Sequence, residues 1–560
     1  MQQVLDKNSK RRMIISTIAM IIVVVVCCVL VQTPLKGKAE AITDADYTIL
    51  VTKTSNNNKY VLQKMKSDGS TGNFNNTETD NLPVSLDNSG KNIFFNNNEF
   101  KTSAKVALLI QTDIEINDTT NINISTTNAD GIGLQVDGSL NITGSGDVSV
   151  SGGAKGIYTI GTLTINGTGV VNATGTTESG INCGSDITIT SGTVNVTGGT
   201  QGIVAESNGI NISGGKVIVN TIKESDTEDI SASLYANTIN ISGGEIELHI
   251  EGLNTKGIYT LGTMSISGDS TNITVEGDVR GTSNSWEYSS IYVGTDMIMD
   301  AGSVTVNVTN KTDDTYITGL TTKGCLTVNG GQIDVIVDVG YGESAEIQYG
   351  QSDGILVNSN FNLNGDSGYG IYIADELSVI NSTVDAKGAI SAIYVGNGGS
   401  SNIKGKVDAS ATIDGILVTV DDINTNYSLY KYVHIVPSIL SVNITWGDMD
   451  YTYTEGTWNT TSHSYNKGSW SNKTTDGDKI TVTNNSNVPV LASFAYNQDT
   501  KYTDFSGTIM SSRTDGTEFK LAQKVSVSNN LYAYLVMDGR LPSSMIDPST
   551  IGSVTVTISE

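Results

Sequence analysis

At 560 residues, with 58 Asp and Glu against 32 Lys and Arg, the chain has a formal net charge of −26. So acidic a surface excludes nucleic acid and anionic polymers as direct partners, since phosphate binding needs surplus cations. Four cysteines in such a length exclude a disulfide-stapled scaffold, so packing and backbone hydrogen bonds must hold the fold.

The first element is a targeting segment. Lys7, Lys10, Arg11 and Arg12 precede an uncharged run from Met13 to Val31, which Pro34 ends. Ala39-Glu40-Ala41 follows at a distance suited to signal peptidase. The run is long for a signal peptide and long enough to span a bilayer. Residues 1–41 therefore read as either a cleaved signal peptide or a retained signal anchor. Both imply export, because the basic flank stays inside. Membrane contact is expected only through this segment, if it is uncleaved. Its loss removes six Lys/Arg and two Asp/Glu and takes the net charge from −26 to −30. Cys27 follows Val26, where lipid attachment would need a small residue.

Residues 42–106 show no clean repeat, and Asn-rich tracts such as Asn56-Asn57-Asn58 point to a cap with irregular first coils. From 107 to 437 the chain repeats itself. GIYTIGTLTINGTGVVNATG at 156–175 returns as GIYTLGTMSISGDSTNITVEG at 257–277. Gly-Ile or Gly-Leu starts fall at Gly131, Gly156, Gly180, Gly202, Gly257, Gly319, Gly354, Gly370 and Gly415, with variants at Ser233, Ser290 and Ala392. The shortest spacings, about 22–25 residues, are those of solenoid repeats. Each copy holds three short alternating segments, as in Gly156-Ile-Tyr, Leu163-Thr-Ile165 and Val171-Asn-Ala173. Period-two alternation turns Ile, Leu and Val inward and Asn, Thr and Tyr outward. No proline occurs between Pro83 and Pro437, which fits unbroken sheet ladders. The expected architecture is all-β: a right-handed, three-sided parallel β-helix, about 60 Å long if some thirteen rungs stack at ~4.8 Å.

Excess residues collect at one corner, after the third segment, in Thr221–Ser231, Asp278–Ser289, Asn310–Ile317 and Asp338–Asp353. Insertions at one solenoid corner emerge on one side, frequently the binding side. They carry acidic residues together with Trp286, Tyr288, Tyr316, Tyr341 and Tyr349. Beside that corner the outward place of the first strand is often tyrosine: Tyr158, Tyr235, Tyr259, Tyr292, Tyr372 and Tyr394, interrupted by Asn182, Val204, Thr321, Leu356 and Leu417. Aromatic faces beside carboxylates suit sugars. The same inserts also read as solvated loops, and the same tyrosines as a ladder that only stabilises neighbouring rungs.

Catalysis finds little support. The coil region has one arginine, Arg280, and two histidines, His249 and His434. The pairs Asp313-Asp314 and Asp421-Asp422 have no second acid or base placed beside them by sequence. No cofactor is expected, and Asp-Gly corners at 130–131, 353–354 and 414–415 have a turn role, leaving calcium as an adventitious surface ion. Cys183 and Cys325 flank corners and read as small apolar groups.

Residues 438–560 hold three of the four tryptophans and short alternating strands, so a β-sandwich is expected. ITVTNNSNVPVLASFAY at 480–496 reads as strand, turn and strand. A sandwich core normally claims Trp446, Trp458 and Trp470; an exposed sugar platform is the other reading for Trp458 and Trp470. The coils, the tail stretch YTYTEGTWNTTSHSYNKGSW and the ending IGSVTVTIS resemble exported right-handed β-helix surface proteins of Gram-positive bacteria, commonly described as carbohydrate-binding-domain-containing. The resemblance implies a secreted or cell-surface protein that contacts glycan. It departs from an LPxTG-type sorting signal, since Leu541-Pro542-Ser543-Ser544-Met545 lacks Thr-Gly.

The sequence thus predicts an extracellular adhesin-like solenoid that binds glycan or a cell-surface protein through a lateral face. Two other functions are open to the same residues: a structural spacer presenting the C-terminal module, and a polysaccharide lyase or glycoside hydrolase.

Overall fold

The computed structural model describes residues 42–55, 58–75, 79–223, 230–280, 289–310, 317–339, 344–349, 354–357, 359–365, 368–373, 376–396, 399–420, 423–542 and 549–559. Residues 1–41, expected to be a targeting segment, lie outside the described residues. The chain forms two compact units: Met1–Cys183 with Gly192–Val196, and Gly184–Ser191 with Thr197–Glu560.

In the first unit, Thr48–Lys53, Val106–Ile110, Ile132–Val136, Lys155–Thr159 and Ser179–Cys183 pair in parallel, each on the next. A second ladder joins Ile114–Ile116, Leu140–Ile142 and Leu163–Ile165. A third joins Glu99–Thr102, Ile122–Thr126, Val148–Gly152 and Val170–Gly175. These are the three sides of a parallel β-solenoid. Register puts like on like: Leu108, Leu134, Ile157 and Ile181 form one inward column, none more than 1% exposed. One rung cannot bury such a column alone, so stacking is the source of the core. At the start, Thr48–Lys53 pairs antiparallel with Tyr60–Met65, which pairs with Thr71–Asn73. That hairpin occupies the edge where a further parallel rung would otherwise add. Cys183 is buried, and its thiol donates to the Gly161 carbonyl at 3.0 Å.

The second unit repeats the scheme on longer strands. Its first-strand ladder runs through Gln201–Ala205, Ser231–Ala236, Thr255–Thr260, Ser289–Val293, Ile317–Thr322, Ser344–Tyr349, Tyr369–Ile373 and Ser391–Val395. In Gly209–Lys223 and Thr238–Leu253 the second and third strands run together through a register shift. Third strands reach nine residues in Asn272–Arg280 and Gly331–Val339, against five in Val148–Gly152. Inward, Ile187, Ile210, Ile239, Met264, Met297 and Leu326 stack in register, none more than 1% exposed. Each contributes about 1.5–3 kcal/mol of burial. The corner between second and third strands needs glycine. Gly331 has φ +101°, and a Cβ there would lie 2.6 Å from the Met299 side chain and 2.7 Å from the Gly302 carbonyl oxygen.

Two expected coil starts are corrected. Gly354–Val357 lies on the second-strand ladder, between Leu326–Val328 and Glu376–Ile380. The expected insert Asp338–Asp353 contains the first strand of that coil, Ser344–Tyr349, so Gln348 and not Leu356 interrupts the tyrosines. Gly415 and Leu417 precede a two-residue strand, Val418–Thr419, that pairs antiparallel with Lys406–Ser410. A second antiparallel strand, Tyr432–Val436, pairs with both Thr383–Gly388 and Lys406–Ser410 and ends the parallel stacking on that side.

The residues after Pro437 form two main antiparallel sheets. One orders Val442–Trp446, Lys479–Asn484, Asn530–Gly539 and Phe505–Met510; the other orders Gln523–Val525, Val490–Gln498 and Gly552–Ser559. Ile480, Phe505, Ile509, Ala533, Leu535 and Met537 of the first meet Phe494, Tyr496, Val554 and Val556 of the second, as in a sandwich. Lys479–Asn484 and Val490–Gln498 belong to opposite sheets, so the stretch 480–496 is a corner between layers and not a hairpin. Asn484 makes that corner: its buried amide donates to the carbonyls of Val488 and Val525, and its oxygen accepts from the Ser486 N–H.

Candidate functional site

The first-strand ladder sets equivalent residues directly over each other. In the second unit the outward column reads Val204, Tyr235, Tyr259, Tyr292, Thr321, Gln348, Tyr372 and Tyr394. Strand spacing brings the rings into contact. Tyr235 and Tyr259 stack at 5.5 Å and 8°, Tyr259 and Tyr292 at 4.9 Å and 10°, and Tyr372 and Tyr394 at 5.0 Å and 20°. All five are half-buried. Ring faces are used on one another, so the column offers outer ring edges and hydroxyls to solvent. Cations flank it: the Lys256 ammonium is 5.7 Å from the Tyr259 ring and donates to Asn254 Oδ1 at 2.6 Å, and Lys323 is 5.9 Å from Tyr292.

Tyr158 stands in the first unit, where it pairs with Gln135 and Asn182 and has Lys155 5.6 Å from its ring. Trp286, Tyr288, Tyr316 and Tyr341 lie outside the described residues. Tyr349 is the last residue of Ser344–Tyr349, in register with Thr322 and one place along from the column. A residue not anticipated is Tyr369, 5.5 Å from Tyr372 and 5.3 Å from Tyr394. Its signal was present in Tyr369-Gly370-Ile371-Tyr372, where a second tyrosine precedes the repeat motif.

The long third strands carry polar rows outward. One row holds Glu247, Thr274, Thr305 and Asp334, the next His249, Glu276 and Asn307. Lys216 bridges Glu245 at 3.2 Å and Glu247 at 2.7 Å, and the hydrogen bond to Glu247 above all raises its pKa. His249 Nδ1 is 2.9 Å from Glu276 Oε1, so this outward histidine has a carboxylate partner on the next rung. At the neighbouring corner an open groove of about 500 Å³ is lined by Asp269, Asp300, Ser303 and Gln332 over bare glycines. Asp300 accepts from Asn329 Nδ2 at 2.9 Å. The groove offers hydrogen bonds and no ring.

In the C-terminal module the tryptophans divide. Trp470 packs on the core, tilted at 5.2 Å against Phe505, and its Nε1 donates to the Gly539 carbonyl at 3.0 Å. Trp446 and Trp458 are exposed, which corrects the expectation that the core takes all three. Both lie on strands whose outer sides face water, a placement that alternation alone left open.

Residues 152–339 match a family described as carbohydrate-binding domain-containing protein, and that segment includes Tyr158, Tyr235, Tyr259 and Tyr292 together with the polar rows and the groove. No curated protein and no solved structure matches the chain. The matched segment lies on the β-solenoid scaffold.

Proposed function

We propose that the chain is an extracellular, secreted or cell-surface protein that binds carbohydrate through the lateral face of its solenoid. The observation that carries this reading is the coincidence of the family match at 152–339 with the stacked tyrosines Tyr235, Tyr259 and Tyr292. Their hydroxyls recur at one per rung, a spacing comparable to the length of one pyranose unit. Lys323, exposed beside Tyr292, adds a donor, whereas Lys256 is buried and holds Asn254. A glycan lying along the column would meet ring edges and hydroxyls in series, so affinity would build from several weak contacts. Adhesion to a glycan-coated surface is the matching role, and export would follow from residues 1–41. Catalysis and a bound cofactor are not part of this proposal.

The test is a glycan array probed with the full chain and with a Tyr235→Ala, Tyr259→Ala, Tyr292→Ala triple variant. Loss of signal in the triple variant is the expected outcome. The spacer reading has one observation in its favour, the face-to-face stacking itself, which is how a purely stabilising ladder is built. Glycan binding that is unchanged in a folded triple variant would transfer the solenoid to that reading.

A further inference from the structure

The geometry points to a second carbohydrate site in the C-terminal module, on the exposed arm that carries Trp458 and Tyr465. Trp458 is 52% and Tyr465 50% exposed, high values for two large rings on one short hairpin. The rings meet across the strands with centroids 5.0 Å apart and planes at 72°, forming an open corner. The Arg540 guanidinium lies 5.4 Å from the centre of the Tyr465 ring, and its Nη2 is 2.6 Å from Glu455 Oε1. A platform for the apolar face of a sugar thus stands beside a donor and an acceptor for its hydroxyls.

The arm is held in this shape by its own sequence. It begins and ends at glycines too crowded for a side chain: a Cβ on Gly456 would lie 1.9 Å from the Asn466 carbonyl oxygen, and one on Gly468 would lie 2.7 Å from the Thr454 carbonyl oxygen. Asn466 donates its backbone N–H to the Thr457 carbonyl at 2.9 Å and its amide to the Thr457 hydroxyl at 3.0 Å. At the tip Asn459 Oδ1 accepts from the N–H groups of Thr461 and Ser462, and His463 turns the chain at φ +48°. A site ordered before binding loses less entropy on occupancy.

A cross-strand aromatic pair also stabilises a hairpin, but that role leaves half of each ring in water. The hairpin residues between the two rings, Asn459 to Ser464, include no aliphatic side chain. Within the hairpin, apolar area is therefore confined to the two rings. That is far too little for a stable protein interface, and it suits one or two pyranose rings with a neutral polyol rim. Residues 457–466 lie outside the segment 152–339, so the site does not depend on the solenoid reading.

The experiment is a neutral-oligosaccharide array probed with the full chain in four forms: unaltered, Trp458→Ala, Trp458→Phe and the triple tyrosine variant. A hit that weakens about tenfold or more in Trp458→Ala, recovers in part in Trp458→Phe and persists in the triple variant supports the arm as a separate site. Both Trp458 substitutions fall on an exposed ring, and an unchanged melting temperature checks that the fold is kept. The proposal is overturned if Trp458→Ala binds every hit as the unaltered chain does, if all binding disappears with the triple variant alone, or if the unaltered chain binds no sugar. Loss confined to the triple variant would uphold the solenoid face while removing the arm. Loss confined to Trp458→Ala would do the reverse.

Discussion

The solenoid coils and the C-terminal sandwich solve the same burial problem in opposite ways. In the coils each inward residue packs above and below on its own counterpart, so Ile210 meets Ile239 and Ile239 meets Met264. In the sandwich Ile480 and Phe505 meet Phe494 and Val556, residues with no sequence relation to them. Aromatic residues follow the same division. The coils stack tyrosine on tyrosine at the surface, whereas the sandwich packs a half-buried Trp470 on its core and leaves Trp446 and Trp458 in water. Translation makes neighbours predictable; closing two layers makes them depend on the whole module.

The largest effect separating the two regions is expected at Trp470. Trp470→Ala removes a ring packed on Phe505 and a hydrogen bond to Gly539, and it should cost about 3–5 kcal/mol. Calorimetry should show a lowered transition for the module while the coil transition stays in place. Next comes Ile239→Ala in the coils, where a wholly buried side chain sandwiched between two rungs is lost. Here about 2–5 kcal/mol is expected. Because each rung is the floor of the next, hydrogen exchange should quicken on both adjacent coils and little in the sandwich. Uniform exchange throughout the chain would erase the distinction between the regions.

The same contrast explains what could be read from the amino acids. Columns such as Ile187, Ile210 and Ile239 were legible because their spacing repeats and their partners are copies. Tyr235, Tyr259 and Tyr292 were legible as a column for the same reason, but not their mode of contact. Whether rings lie flat on each other or splay apart depends on side-chain angles that the repeat does not encode. Gly354 misled because the motif Gly-Ile also begins a second strand when the same coil has already supplied Ser344–Tyr349 as its first strand. The corner of Trp458 and Tyr465 was not legible. The ring angle rests on side-chain torsions that alternation does not encode, and Arg540 over Tyr465 lies some 75 residues further on, with no local pattern joining them.

A smaller effect is expected at Tyr259. Tyr259→Ala breaks two stacked contacts while leaving the inward core intact, so a loss of about 1–3 kcal/mol is expected from the pairwise value of such contacts. Tyr158→Ala, at a ring with no stacked tyrosine partner among the described residues, should cost less in the same chemical denaturation experiment. Equal losses at the two positions would mean that stacking adds nothing beyond strand propensity. Trp458→Ala, which removes an exposed ring and its cross-strand contact with Tyr465, should change stability by no more than about 1 kcal/mol. Trp458 and Trp470 would then differ several-fold within one module.

The finest discrimination concerns Tyr432, on the antiparallel strand that ends the parallel stacking. Burial, and then a hydrogen bond and charge repulsion from Asp385, push its hydroxyl up from 10.0 to about 12. The folded protein therefore keeps this proton at pH values where the unfolded chain releases it. Stability from the protonated form is complete below pH 10 and is lost as pH rises through about 12. Asp408 on the adjoining strand responds at the other extreme. Burial favours its protonation, but hydrogen bonds from Lys406 and Thr419 outweigh that and hold its pKa below 3.8, so its contribution is present above the ordinary carboxylate range and falls away in acid. Tyr432→Phe should flatten the alkaline limb of stability against pH while leaving the acid limb as it was. Because the affected strand pairs with Thr383–Gly388 and Lys406–Ser410, exchange at alkaline pH should rise first there. An alkaline limb unchanged by Tyr432→Phe would place that loss of stability in other tyrosines, such as Tyr451, whose hydroxyl is raised by burial inside the sandwich.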